Sequence, residues 1–272
     1  MSQATAGPTL KPRPLRILVR GGLHSYRALF SWLSPWIYIP SLLIAPLFQV
    51  ALFVYIGRNA GIGSDEFFVI GNAIQYCSIP CFFAMTQTIA GERSQRTLAV
   101  IFCTPAPRLP LFLGRSLPVV LNGWLVALCC LAVSTALFGL DIRAAAWPPL
   151  FLIVAVAAAS CTGFGLILAA IGLRVRATAV LSNIVFGLLL ILCGANVPSD
   201  QLPAAAAWVG QLLPLTRAIE AARDVADGAS LGQVSGLVWQ EAAVGCLYAA
   251  IGLVVLAVLE RSARRHGSLD RA

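Results

Sequence analysis

The chain has 272 residues, of which 59% are hydrophobic and only 11% charged, with a mean hydropathy of +0.85. A soluble domain carries about 25% charge, so a water-facing globule is excluded and lipid is the expected solvent. The net charge of +8 is almost wholly arginine, Lys11 being the only lysine. That balance suits nucleic acid or a membrane surface, and the positions of the arginines decide between them.

A basic segment precedes the first long apolar stretch. From Pro14 to Phe30, Arg16, Arg20, His24 and Arg27 recur on one helical face and Leu15, Leu18, Gly22, Tyr26 and Leu29 on another. This predicts an amphipathic helix lying on the inner leaflet. The Gly21–Gly22 pair weakens such a helix by roughly 1 kcal/mol per glycine relative to alanine, and a flexible basic arm is the alternative. No cleavable signal peptide is expected, because the first thirty residues lack a compact apolar region.

A spanning helix needs ~20 apolar residues. Six stretches qualify: 32–56, 67–90, 111–138, 147–173, 177–197 and 237–259. The expected fold is an all-α polytopic membrane protein of six transmembrane helices. It would be one domain over 1–272, with a cytoplasmic or interfacial N-terminus (1–31), a six-helix bundle (32–259) and a cytoplasmic tail (260–272). Prolines 35, 40, 46, 80 and 118 fall in or near these spans, where neighbouring helices can satisfy the freed carbonyls.

With both termini in the cytoplasm, fifteen basic residues lie inside and only four outside: Arg58, Arg143, Arg217 and Arg223. The acids lean the other way, with Asp65, Glu66, Asp141, Asp200, Glu220, Asp224, Asp227 and Glu241 outside. The positive-inside rule therefore sets this orientation, and the inner leaflet accounts for the arginines without nucleic acid.

Between spans two and three lies the polar interruption GERSQRTLAVIFCTPAPR, residues 91–108. Glu92 and Arg96 form an i,i+4 pair in the favourable order. Thr97, Leu98, Val100, Ile101 and Phe102 make an apolar ridge that cytosol alone would not reward. Pro105, Pro107 and Pro110 then turn the chain back. A short helix with an apolar tip and charged shoulders suits a groove on another protein; an ordinary connecting loop is the alternative.

The segment from Pro198 to Gly236 is apolar at first, through Leu202, Trp208, Val209, Leu212, Leu213 and Leu215. Pro214 fits a helix start and Gly228 a helix stop, with Arg217, Glu220 and Arg223 at i,i+3 spacing. The expectation is a short re-entrant hairpin before helix six, then an amphipathic helix lying across the outer surface.

The chemistry missing from the chain narrows its role. Lys11 follows AGPTL, so no P-loop exists. The two histidines, His24 and His266, form no HExxH site, and no G-x-S-x-G elbow occurs. Eight cysteines lie mostly in apolar runs and are expected to act as small fillers rather than disulfides or zinc ligands. Glu241, near the outer end of the last span, is expected to be a solvated or paired helix-end carboxylate rather than a proton relay. An intramembrane enzyme would need acid, base or nucleophile converging at one depth, and the sequence offers none. Such a protein acts passively or is driven by a partner.

Residues 91–108 resemble the cytoplasmic signature loop of ABC-2 type permeases, the membrane subunits of bacterial ABC exporters. Glu92, Arg93, Arg96, Thr97, Leu98, Thr104 and Pro105 match that pattern. LLPLTRAIEAARD is similar to the family's outer motif through Pro214, Leu215, Thr216 and Arg223, while Arg217 departs from it, standing where the family often has an apolar residue. The resemblance implies a plasma-membrane permease, not an enzyme, with no cofactor of its own. Two copies of a separate ATPase would bind ATP and magnesium, and a second permease copy or paralogue would complete the dimer. It implies a coupling helix carrying Glu92, Arg93, Arg96, Thr97, Leu98, Ile101 and Phe102. It also implies a substrate path for an amphipathic drug or natural product between the bundles, with Gln49, Asn72, Gln75 and Asn183 as polar contacts and Phe82 and Phe186 as walls. Each of those amides has helix–helix glue, worth ~0.6 kcal/mol on average, as its alternative. A lipid-linked glycan exporter and a non-transporting scaffold are the rival readings.

Overall fold

The computed structural model describes residues 35–94, 108–172, 178–198 and 201–266. Among these the chain is helical throughout, with no strand. The helices are α1 (Pro35–Ala60), α2 (Asp65–Gln75), α3 (Ser78–Ser94), α4 (Arg108–Phe138), α5 (Trp147–Ile171), α6 (Thr178–Leu192), α7 (Ala204–Leu212), α8 (Thr216–Ala226) and α9 (Leu231–His266). The N-terminal amphipathic segment 14–30 lies outside the described residues.

Four segments are long and apolar enough to cross a bilayer: Asp65–Gln87, Gly114–Phe138, Ala144–Ile171 and Leu231–Leu259. Ile44–Ala60 and Thr178–Leu192 are apolar but shorter. At about 1.5 Å per residue, fifteen residues of α6 reach about 22 Å. A bilayer core is about 30 Å thick.

The second apolar stretch is not one continuous helix from Phe67. It begins earlier, at Asp65, because Ser64 caps it: the Ser64 hydroxyl accepts from the Phe67 N–H at 3.2 Å, and Asp65 and Glu66 sit at the positive end of the helix dipole. It breaks at Tyr76–Cys77. Pro80 has no N–H to offer the Tyr76 carbonyl, and its ring would clash with that group in a regular helix. The chain tightens instead: the Cys77 N–H bonds the Ile74 carbonyl and the Ile79 N–H the Tyr76 carbonyl, while the Ser78 hydroxyl donates to the Gln75 carbonyl at 2.7 Å. The carbonyls of Ile74, Gln75, Tyr76 and Cys77 thus all accept a hydrogen bond, which an apolar solvent demands.

The core is apolar and close-packed. Phe82, Ile70, Ile74, Met85, Leu131, Leu150, Ile153 and Leu189 are fully buried. The most extensive pairing is α5 with α9. A methyl added at Gly163 would lie 2.6 Å from the Gly245 carbonyl oxygen, and one at Gly245 would lie 2.7 Å from the Ser160 Cα. Gly163 and Gly245 thus let α5 and α9 approach closely, as small residues do in membrane helix pairs, while Gly165 packs on Cys81 and Met85 of α3.

The fifth stretch also ends early. α6 stops at Leu192, Gly194 takes φ 76°, and the Asn196 side chain donates to the Leu190 carbonyl at 3.0 Å, satisfying an orphan acceptor of the helix end. The loops expected outside meet at this end of the bundle. Arg58 on α1 pairs with Asp65 and stacks over Tyr55 and Phe138, and Arg143 approaches Gly228.

Candidate functional site

Three groups of candidate functional residues can be placed on the fold, two of them within the described residues. The first is a cluster of amides among apolar helices. Gln49 of α1 donates through Nε2 to Asn72 Oδ1 at 3.2 Å and to Gln75 Oε1 at 2.9 Å, both on α2. Asn72 in turn donates to Asn196 Oδ1 at 2.7 Å and to the Phe68 carbonyl at 2.9 Å. Asn72 and Gln75 are fully buried, and Gln49 is partly buried. Gln75 Nε2 is a buried donor without an acceptor. In a low-dielectric interior such a chain is strong where satisfied and costly where it is not.

The structure therefore joins three of the four amides read from the sequence, and adds Asn196. Asn196 lay at the edge of the last long apolar run before the outer segment; nothing in its spacing marked it as a partner of Asn72, 124 positions away. Asn183 does not join the cluster: it is exposed on α6. Phe82 is fully buried against Phe164, with ring centroids 5.7 Å apart, and Phe186 meets Tyr76 edge-on at 6.5 Å.

The second group is the hairpin α7–α8. Here three expectations change. Helix α8 does not lie on the surface: Ala218, Ile219, Ala221, Ala222 and Val225 are buried, and it packs on α9, α5 and α2. Small alanines allow that approach, leaving Glu220 and Asp224 on the exposed side. Arg217, Glu220 and Arg223 do not form a ladder along the helix. Arg217 bonds Gln240 Oε1 at 2.9 Å and the Gln211 carbonyl at 2.7 Å.

Arg223 points into the protein. Its Nη1 donates to the Gly194 carbonyl at 2.9 Å, and its Nη2 to the carbonyls of Phe67 at 2.9 Å and Ala195 at 3.2 Å. The guanidinium carbon sits 3.6 Å from the centroid of the Phe67 ring. One planar fork thus ties α8 to the start of α2 and to the chain leaving α6. Burial pulls the guanidinium down to about 10, so it stays a cation at neutral pH. Gly71 makes room for it: a methyl there would lie 2.5 Å from the Ala195 carbonyl oxygen and 2.6 Å from Arg223 Nη2.

The third correction concerns Glu241. It is fully buried, not solvated, and its Oε1 accepts the Leu215 N–H at 2.9 Å. No arginine pairs with it among the described residues. Leu215 precedes α8 and is in the left-handed conformation, φ 81°. The carboxylate thus faces the N-terminus of α8, where free N–H groups and the helix dipole favour a negative group. Pro214 is buried and Thr216 donates to the Gly210 carbonyl at 2.6 Å, so the whole Pro214–Leu215–Thr216 turn is held. Tyr248 of α9 adds a hydrogen bond to the Leu212 carbonyl.

The third group is the segment 91–108. The backbone of Glu92 and Arg93 closes α3, whereas Arg96, Thr97, Leu98, Ile101 and Phe102 lie outside the described residues.

A bundle of apolar helices, with amides joined inside it and α8 packed against one end, defines a polytopic membrane protein. The chain belongs to the ABC-2 type transporter family, whose model matches residues 25–226, well over half of its length. It is accordingly the membrane subunit of an ABC transporter, and members of this family typically partner with an ATPase subunit. No curated protein matches the chain significantly.

Proposed function

We propose that this permease is the membrane half of an ATP-driven exporter that moves an amphipathic drug or natural product out of a bacterial cell. It sits in the plasma membrane with both termini in the cytoplasm. Two copies of a separate ATPase hold ATP and magnesium, and a second permease copy or a paralogue completes the pore. The 91–108 segment, with Glu92, Arg93, Arg96, Thr97, Leu98, Ile101 and Phe102, docks in a cleft of the ATPase. Closure of the ATPase pair rocks the two bundles between inward-open and outward-open states. The hairpin α7–α8 re-enters the outer leaflet and closes the outer side.

The observation that carries the reading is the Gln49–Asn72–Gln75 cluster within apolar helices. Gln49 is the partly exposed member of that cluster, and its amide offers hydrogen bonds without charge, which suits a cargo that is mostly apolar with a few polar groups. A polymer exporter would call for a channel richer in aromatics than the 9% of this chain.

The test is co-purification with a soluble nucleotide-binding subunit, followed by reconstitution. Glu92→Ala and Leu98→Asp are expected to weaken ATPase docking and substrate-stimulated ATP turnover. Full turnover in both variants refutes the docking assignment. Transport by the purified permease without any ATPase refutes the driven mechanism.

A further inference from the structure

Helix α9 marks where the hydrocarbon of the bilayer begins. Its residues 242–259 carry no charged or amide side chain, and Glu260 and Arg261 follow at once. At about 1.5 Å per residue that run rises about 27 Å, close to the ~30 Å of a bilayer core. Leu247, Ile251, Val254 and Val258 line its exposed stripe at helical spacing. Two turns before Leu247 the same stripe carries Gln240, also exposed, with Trp239 beside it at 75% exposure. Tryptophan gathers at the headgroup level of membrane proteins. Gln240 and Trp239 therefore stand where hydrocarbon gives way to phosphate, on a side that faces lipid.

Arg217 is tethered at this point. Its Nε donates to Gln240 Oε1 at 2.9 Å and its Nη1 to the Gln211 carbonyl at 2.7 Å, which fixes the plane of the guanidinium. Among the described residues Nη2 meets no acceptor and no carboxylate pairs with the group. Arg58 and Arg223 differ, the one paired with Asp65 and the other taken up by three carbonyls. Glu241, next to Gln240 in the chain, is buried and turned to the Leu215 N–H. Trp208 and Leu212, one turn apart on α7, expose apolar surface next to Gln211. A cation held at this depth calls for an anion, and the anion that the depth supplies is a lipid phosphate.

We infer that Arg217 is the headgroup site of a bound phospholipid, its free Nη2 donating to a phosphate oxygen and Trp208 and Trp239 supplying the apolar flanks. A planar guanidinium matches phosphate geometry, and two of its N–H groups are already spent on holding it in place. The lipid thereby pins the turn from α7 to α8 against α9. That the leaflet is the outer one rests on the orientation proposed above; the phosphate chemistry does not.

The experiment uses the whole permease in a detergent without phosphate groups. Native mass spectrometry counts the phospholipids retained per chain, and thermal unfolding follows a titration with phosphatidylglycerol, with diacylglycerol of the same acyl chains, or with inorganic phosphate. Arg217→Gln should retain one phospholipid fewer than the native chain, and Arg143→Gln the same number. Arg217→Gln should also shift the phosphatidylglycerol titration roughly threefold to tenfold toward higher lipid, each variant being read from its own lipid-free midpoint, and Arg217→Lys should shift it less. Diacylglycerol and inorganic phosphate should each stabilise the native chain less than phosphatidylglycerol. Unchanged retention and titration in Arg217→Gln overturn the proposal. Equal stabilisation by diacylglycerol overturns the role of the phosphate, and equal stabilisation by inorganic phosphate overturns the lipid. None of these outcomes touches ATPase docking, which is read separately by co-purification.

Discussion

The carboxylate of Glu241 accepts the backbone N–H of Leu215 at 2.9 Å, although the two residues lie on different elements and are 26 positions apart. Through this bond the last membrane helix holds the entry of α8. The residue it holds is strained, a leucine at φ 81°. Such conformations persist only when the surroundings over-determine them. Buried packing of the Leu215 side chain, the carboxylate on its N–H and the Thr216 hydroxyl on Gly210 supply that.

Glu241→Ala should destabilise the protein by about 1–3 kcal/mol, because it strands a buried N–H. Glu241→Gln retains an acceptor oxygen and should lose less than half as much. Thermal unfolding in detergent, with the intact protein as reference, measures both. Equal loss in the two variants would show that the hydrogen bond is not what matters at this position.

At Leu215 the usual ranking should invert. Leu215→Ala loses buried apolar surface, of the order of 1.5–3 kcal/mol, and keeps the left-handed strain. Leu215→Gly loses the same contacts but relieves roughly 1 kcal/mol of strain. Glycine should therefore be the milder substitution, by about that amount, in the same unfolding assay. Alanine being the milder one would contradict the strained turn.

Arg223 joins three carbonyls with one fork. Arg223→Lys cannot reach all three and cannot stack its plane on Phe67, so it should cost about 2–4 kcal/mol, close to the loss in Arg223→Met. The sign of the pH effect follows from its lowered value of about 10. Below pH 9 the group is protonated both folded and unfolded, so it contributes no slope there. Between about 10 and its ordinary value the unfolded chain binds more protons, and stability from this group rises with pH. The stability difference between the native protein and Arg223→Met should be constant from pH 6 to 9. A slope in that window would mean that another group titrates with it.

Gly71→Ala places a methyl against Ala195 and Arg223. Neither backbone nor anchored guanidinium can yield cheaply, and overpacking of this kind costs about 1–3 kcal/mol. Gly187→Ala, in open space, should be neutral for the stability of the single chain. The pair of unfolding midpoints decides the matter: similar loss at both sites would contradict the close approach of α2 to the Arg223 anchor.

Much of the protein was legible in one dimension. Apolar runs of spanning length and the family motifs around Glu92 and Pro214 are local signals, and local signals survive without a fold; the helix expected to start at Pro214 starts at Thr216, after the left-handed Leu215. Gln49, Asn72 and Gln75 were named through the family resemblance, as polar contacts of a substrate path. Their mutual bonds were not legible, since only the packing of α1 on α2 brings Gln49 beside the other two. The break at Tyr76–Cys77 was foreshadowed by Pro80, but a proline in a membrane span is compatible with a continuous helix, so its effect depends on what surrounds it.

By itself, then, the sequence determined the solvent, the helical class, the apolar spans and the family, because composition and periodicity are properties of the chain alone. Only the tertiary structure decided the fate of the charges. Whether Glu241 meets water or an N–H, and whether Arg223 faces its helix neighbours or three distant carbonyls, depends on elements far apart in sequence arriving at one place. A charge in a low-dielectric interior takes its meaning from those neighbours.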